Sequence, residues 1–133
     1  MSKQYSKGLT LNELLLAVAI MAFVLCGLLI LFVNCAFLND SNRNLTQAVS
    51  HAQYVLEDIK NTYFYDIETK IDNGDWDWVE ADVIAQGLNA LSSEIIDTAH
   101  GINDDPLDVT VIVNWEDQRQ RQRQTQLRTL ITK

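Results

Sequence analysis

The sequence predicts an α+β protein in which a long N-terminal helix packs on a small antiparallel β-sheet, and three observations carry that expectation. From Leu14 to Val33 twenty consecutive residues carry no charged or strongly polar side chain. After Leu38 apolar residues return at steps of three and four. Near the C-terminus they alternate with polar residues, the period of a strand.

The first observation describes a membrane-spanning helix, because about twenty apolar residues at 1.5 Å each cross the hydrocarbon of a bilayer. A removable signal peptide has an apolar core of only about 7–15 residues followed by a small-residue cleavage site. The present run is longer, and Asn34, Cys35, Ala36, Phe37 and Leu38 that follow it make a poor cleavage site. The second observation continues the same helix. Leu45, Ala48, Val49, Ala52, Val55, Leu56 and Ile59 share one helical face, and neither Pro nor Gly interrupts residues 36–61. One helix from about Leu9 to about Asn61, roughly 80 Å long, is expected. Its second half is amphipathic and needs cover.

The third observation supplies the cover. Leu107, Val109, Val111, Val113 and Trp115 alternate with Asp108, Thr110, Ile112 and Asn114, and Thr125, Leu127, Thr129 and Ile131 share one face of a second strand over residues 122–131. Residues 116–120 read as the turn between them. Residues 94–98 read as a shorter strand ahead of a turn at 100–106, which gives a three-stranded antiparallel meander. Residues 62–93 carry no clear pattern beyond a short helix within Val79–Leu91.

Composition limits what the protein can do. In a chain of 133 residues, residues 57–117 hold sixteen acids against Lys60 and Lys70, while residues 118–133 hold five basic residues and no acid. The acidic part repels nucleic acid. Arg119, Arg121 and Arg123 would share one face of a strand, where they either meet an anionic partner or guard a sheet edge and face the acids of a neighbour. No stacking aromatic stands beside them, so nucleic acid is not expected as a partner. The two cysteines, Cys26 and Cys35, lie roughly 13 Å apart on one helix, beyond disulfide reach within the chain. They read as small apolar membrane residues or as a contact between subunits. Asp72-Asn73-Gly74-Asp75-Trp76-Asp77 lacks the Gly and Glu that a calcium-binding loop needs at later positions and reads as a polar turn. His51 and His100 are expected to be solvated or interfacial. Trp76, Trp78, Tyr63 and Tyr65 form either a small core or a contact surface. No catalytic constellation, metal site or cofactor site is expected.

One string points further. A glutamate at the start of a membrane helix requires a partner or a task, because an ionised carboxylate in hydrocarbon costs several kcal/mol. Lys7-Gly8-Leu9-Thr10-Leu11-Asn12-Glu13 places Glu13 there, and a chain cut after Gly8 would have a free amine a few residues away. An amine from one chain and Glu13 of the next could meet and set an axial register. These residues resemble the start of the type IV pilin superfamily: a short basic leader, here with Lys3 and Lys7, ending in Gly8, then an apolar residue and Thr10, Leu11 and Glu13 at the matching positions. Leu9 stands where the family usually has Phe, and Asn12 where an aliphatic residue is usual.

The resemblance implies a leader of residues 1–8, an assembly and membrane half of the helix at 9–38, an amphipathic half at 39–61 and a globular head at 62–133. It implies cleavage after Gly8 and methylation of the Leu9 amine by a prepilin peptidase, other pilin or pseudopilin subunits as partners, and passage from the bacterial inner membrane into a periplasmic or extracellular filament. On that reading the protein is a substrate and a structural subunit, not an enzyme. The absence of proline from the membrane helix and of a C-terminal cysteine loop fits a minor component. The last thirty or so residues resemble type IV pilus modification proteins and the I-type minor pseudopilins of type II secretion. The expectation from another class is a permanently anchored binding module whose Arg119, Arg121, Arg123 and Arg128 meet DNA or another anionic ligand.

Overall fold

The computed structural model describes residues 10–133. Helix α1 (Leu11–Asn61) is continuous over 51 residues, and the chain divides into two compact units, residues 1–39 and residues 40–133. In the first, every described residue from Thr10 to Asn39 is exposed. Its aliphatic and aromatic side chains project all round the helix, which is long and apolar enough to cross a membrane.

The second unit is an α+β head. Its helical part buries one stripe, Ala48, His51, Ala52, Val55, Leu56 and Ile59. Leu45, expected in that stripe, is exposed, and Val49 is only half-buried. The buried stripe therefore begins one turn later, at Ala48, and includes His51. Helix α2 (Phe64–Asp72) follows, then the two-residue strand β1 (Trp78–Val79), helix α3 (Glu80–Ala85), and strands β2 (Ile95–Asp104), β3 (Leu107–Glu116) and β4 (Gln122–Ile131). All pairings are antiparallel, in the order β1-β2-β3-β4. The arrangement is consistent with a pilin-like fold.

The alternation expected in β3 is present: Leu107, Val109, Val111, Val113 and Trp115 are buried. They join the α1 stripe, Ile67 and Ile71 of α2, Val83 of α3 and Ile96 of β2 in one core, with Leu127 and Ile131 packed against it. The sheet, however, has four strands where three were expected. Trp78 and Val79 pair with Ile96 and Ile95. Strand β2 also runs through residues 100–104, which read as a turn. A shift of register between His100 and Asp104 accommodates the extra length, and the true reversal is only the cis Asp105–Pro106 pair. Gly101 permits the close approach of the two strands within this irregular stretch, since a Cβ at this position would stand 3.0 Å from that of Asp108. The helix expected within Val79–Leu91 is confined to Glu80–Ala85, and α2 was not expected at all. Its polar end is the Asp72–Asp77 segment, which turns through Gly74 at φ 74°.

Candidate functional site

The apolar surface of residues 11–38 is the largest anomaly of the molecule. Phe23 is 82% exposed and Leu15, Leu29, Ile30 and Phe32 are each exposed beyond half. At its start the Thr10 N–H and Oγ1–H both donate to Glu13 Oε2, at 2.9 and 3.0 Å, and the Glu13 N–H donates back to Thr10 Oγ1 at 3.4 Å. This reciprocal pair is a capping box, which satisfies N–H groups that the helix start leaves without partners. Thr10-x-x-Glu13 spells it in the sequence, so the signal was legible although the partner expected for Glu13 was an amine. Gly8 and Leu9, like Lys3 and Lys7 of the expected leader, lie outside the described residues. Cys26 and Cys35 are exposed free thiols.

In the head, the expected row of Arg119, Arg121 and Arg123 is not a row. Only Arg123 belongs to β4; Arg119 and Arg121 lie in the turn before it. The organiser is Asp117. Its Oδ1 accepts the Arg119 and Arg121 N–H groups at 2.8 and 3.1 Å. Its Oδ2 accepts Arg121 Nε–H at 3.0 Å, Arg121 Nη2–H at 2.8 Å and Arg123 Nε–H at 3.3 Å. Desolvation works to raise the Asp117 pKa, but the bonds from Arg121 and from the two backbone N–H groups, with the Arg121 charge, outweigh it and hold the carboxyl well below the usual range. Arg121 and Arg123 therefore spend much of their charge on their own turn. Arg128 does the same on β4: its Nε–H donates to Asp108 Oδ1 at 2.6 Å and its Nη2–H to Asp108 Oδ2.

The two histidines differ from expectation. His51 is 4% exposed and Glu94 is 1% exposed. His51 Nδ1 and Glu94 Oε1 share a hydrogen bond of 2.7 Å, and Glu94 Oε2 accepts the Leu91 N–H at 2.7 Å. One turn earlier Gln47 Nε2–H donates to the Asn89 carbonyl, so α1 grips the residue 89–94 loop at two successive turns. His51 falls at the three- and four-residue spacing of Ala48, Ala52 and Val55, a position that predicts burial once the residue type is set aside. His100 stands on β2 rather than in a turn. Its Nδ1–H meets the Gly101 carbonyl at 2.9 Å and its Nε2–H meets Asp72 Oδ1 at 3.2 Å. The Gly101 bond above all, and then Asp72, raise its pKa against the opposing effect of partial burial.

The aromatics divide. Trp76 and Trp78 are core, with Trp76 Nε1–H donating to Asp58 Oδ2 at 2.7 Å, whereas Tyr63 and Tyr65 are exposed and stand 5.4 Å apart between ring centres. A polar cleft of about 580 Å³ lies between the α1 turn at Asp40, Arg43 and Gln47, the 89–92 loop and the end of β3 at Glu116 and Asp117. Among the described residues no group of three His, Cys, Asp or Glu side chains is placed to hold a metal ion. No family model, no curated protein and no solved structure matches the chain.

Proposed function

We propose that the protein is a minor pilin or pseudopilin, a structural subunit of a type IV pilus or a type II secretion pseudopilus. A prepilin peptidase cuts it after Gly8. The observation that carries this reading is the combination, in one uninterrupted helix, of an all-round apolar segment and a glutamate at its start, followed by a segment that buries only one stripe. An all-round apolar helix requires lipid or other apolar helices on every side, and a subunit that exchanges one for the other uses both. Thr10 engages only Oε2 of Glu13, and on this reading Oε1 meets the amine of a neighbouring subunit. On this reading the chain is a single-pass inner-membrane protein before it enters a filament, it works with other subunits of the same kind, and it is a peptidase substrate rather than an enzyme.

The alternative, an anchored module for an anionic ligand, loses support from the turn itself, where Asp117 engages Arg121 and Arg123. The test is the intact mass of the full chain produced with and without a prepilin peptidase. Loss of residues 1–8 with one added methyl group is expected; an uncut chain beside a processed control pilin overturns the proposal.

A further inference from the structure

The two edges of the sheet are finished differently. On the β1 side the edge strand is two residues long and covers only Ile95 and Ile96 of β2, and several donors along this side are taken up by carboxylates. The Val79 N–H donates to Asp82 Oδ2 at 3.1 Å. Beyond β1, where β2 would be open, the Thr98 N–H and Oγ1–H donate to Asp77 Oδ1 at 2.8 and 2.9 Å. The Ser93 N–H ahead of β2 goes to Glu80 Oε2 at 3.0 Å. Short length, an immediately following helix and acceptors aimed at the edge all discourage another strand from pairing there.

The β4 side has none of these devices. Gln122–Ile131 pairs with β3 without a register shift over its whole length. It contains no proline. Among the described residues no strand pairs with its other side, and no hydrogen bond from outside β3 reaches its backbone. About five of its ten residues then offer an N–H and a C=O outward. Charge, the usual remaining guard, is spent locally: Arg123 is bound to Asp117 and Arg128 to Asp108. The bond from Arg128 holds the Asp108 carboxyl below the usual range against desolvation, as expected of an engaged pair.

We propose that β4 is an interaction edge that pairs antiparallel with β4 of a second copy of this chain, joining two four-stranded sheets into one. The sequence of the strand suits self-pairing. In an antiparallel pair, directly opposed residues share a face, so a two-fold axis passes through a residue position. Centred on Gln126, the pairing sets Gln124 opposite Arg128, Gln122 opposite Leu130 and Arg123 opposite Thr129. Centred on Thr125, it sets Gln124 opposite Gln126, Gln122 opposite Arg128 and Arg123 opposite Leu127. Neither register opposes two cations, which would be destabilising, and both bring glutamine amides together, where they can bond side by side.

The inference goes beyond the filament reading and does not depend on leader cleavage. It is tested on the full chain in detergent micelles by light-scattering mass, comparing the natural chain with the Gln124→Lys, Gln126→Lys double variant. Both substitutions lie on exposed positions of β4, and in either register they set lysine against lysine. A dimer is expected for the natural chain, with at least a tenfold weaker association in the variant and unchanged far-ultraviolet circular dichroism. A monomeric natural chain overturns the proposal. So does a dimer indifferent to the two lysines, which would assign association to the apolar helix. A chain cut after Gly8 yet monomeric would remove this inference and leave the proposed function standing.

Discussion

Helix α1 presents one backbone geometry to two kinds of surroundings. In residues 11–38 Leu, Ile, Val and Phe occupy every face and all are exposed; in residues 40–61 the apolar side chains occupy one stripe and Val55 and Ile59 are fully buried. Residue type alone does not decide burial. Distribution round the helix does, because a stripe can be covered by one sheet whereas a full circumference needs neighbours on all sides.

Substitution within the two halves should break the symmetry of the helix most visibly at Ile59. Ile59→Ala opens a cavity in a site with no solvent access and is expected to lower the stability of the head by about 3 kcal/mol, measured by urea denaturation in detergent. Leu29→Ala, on the exposed half, is expected to change that stability by less than about 0.5 kcal/mol. Equal losses would mean that the apolar half is packed within the monomer after all. A sharper contrast comes from the polar member of the buried stripe. Glu94→Ala leaves His51 and the Leu91 N–H without an acceptor and is expected to cost about 2 kcal/mol by the same denaturation. Glu94→Gln, which keeps an acceptor oxygen, should cost less, and a larger loss in Gln than in Ala would contradict the hydrogen-bond account. A loss smaller than that at Glu94 is expected at the start of the helix. Glu13→Ala removes the capping box, worth about 1 kcal/mol at the helix start, and should speed hydrogen exchange at the first amides of α1 while the head is unchanged. Under the proposed function the same variant is still cut after Gly8 but enters filaments poorly; normal incorporation would remove Glu13 from the registry argument.

Much of this architecture is legible in the residues where a period is sustained. Strand β3 alternates over its whole length, and α1 contains no proline and no glycine beyond Gly27, so the residues predict both with nearly their true bounds. Shorter elements escaped because two or three residues do not establish a period. Phe64, Ile67 and Ile71 of α2 are correctly spaced but sit among acids, and Trp78–Val79 is a strand only because β2 stands beside it. Residues 100–104 carry turn-forming chemistry, yet His100 and Asp104 both pair with β3 across an irregular stretch, so the chain does not reverse until Asp105. In the candidate site, Glu13 was conspicuous by its charge, while the capping box needed attention to Thr10 three residues earlier. The arginines misled for a related reason. Their alternation with glutamine suggests one face of a strand, but Asp117 gathers Arg119, Arg121 and Arg123 around a turn in which Gln120 takes φ 55°.

The placement of the tryptophans gives the molecule a built-in optical label. All three, Trp76, Trp78 and Trp115, lie in the head and are at most 8% exposed, and the apolar half of α1 contains none. Tryptophan emission therefore reports the head alone: a red shift records its opening, whatever lipid, detergent or helix surrounds residues 11–38 at the time.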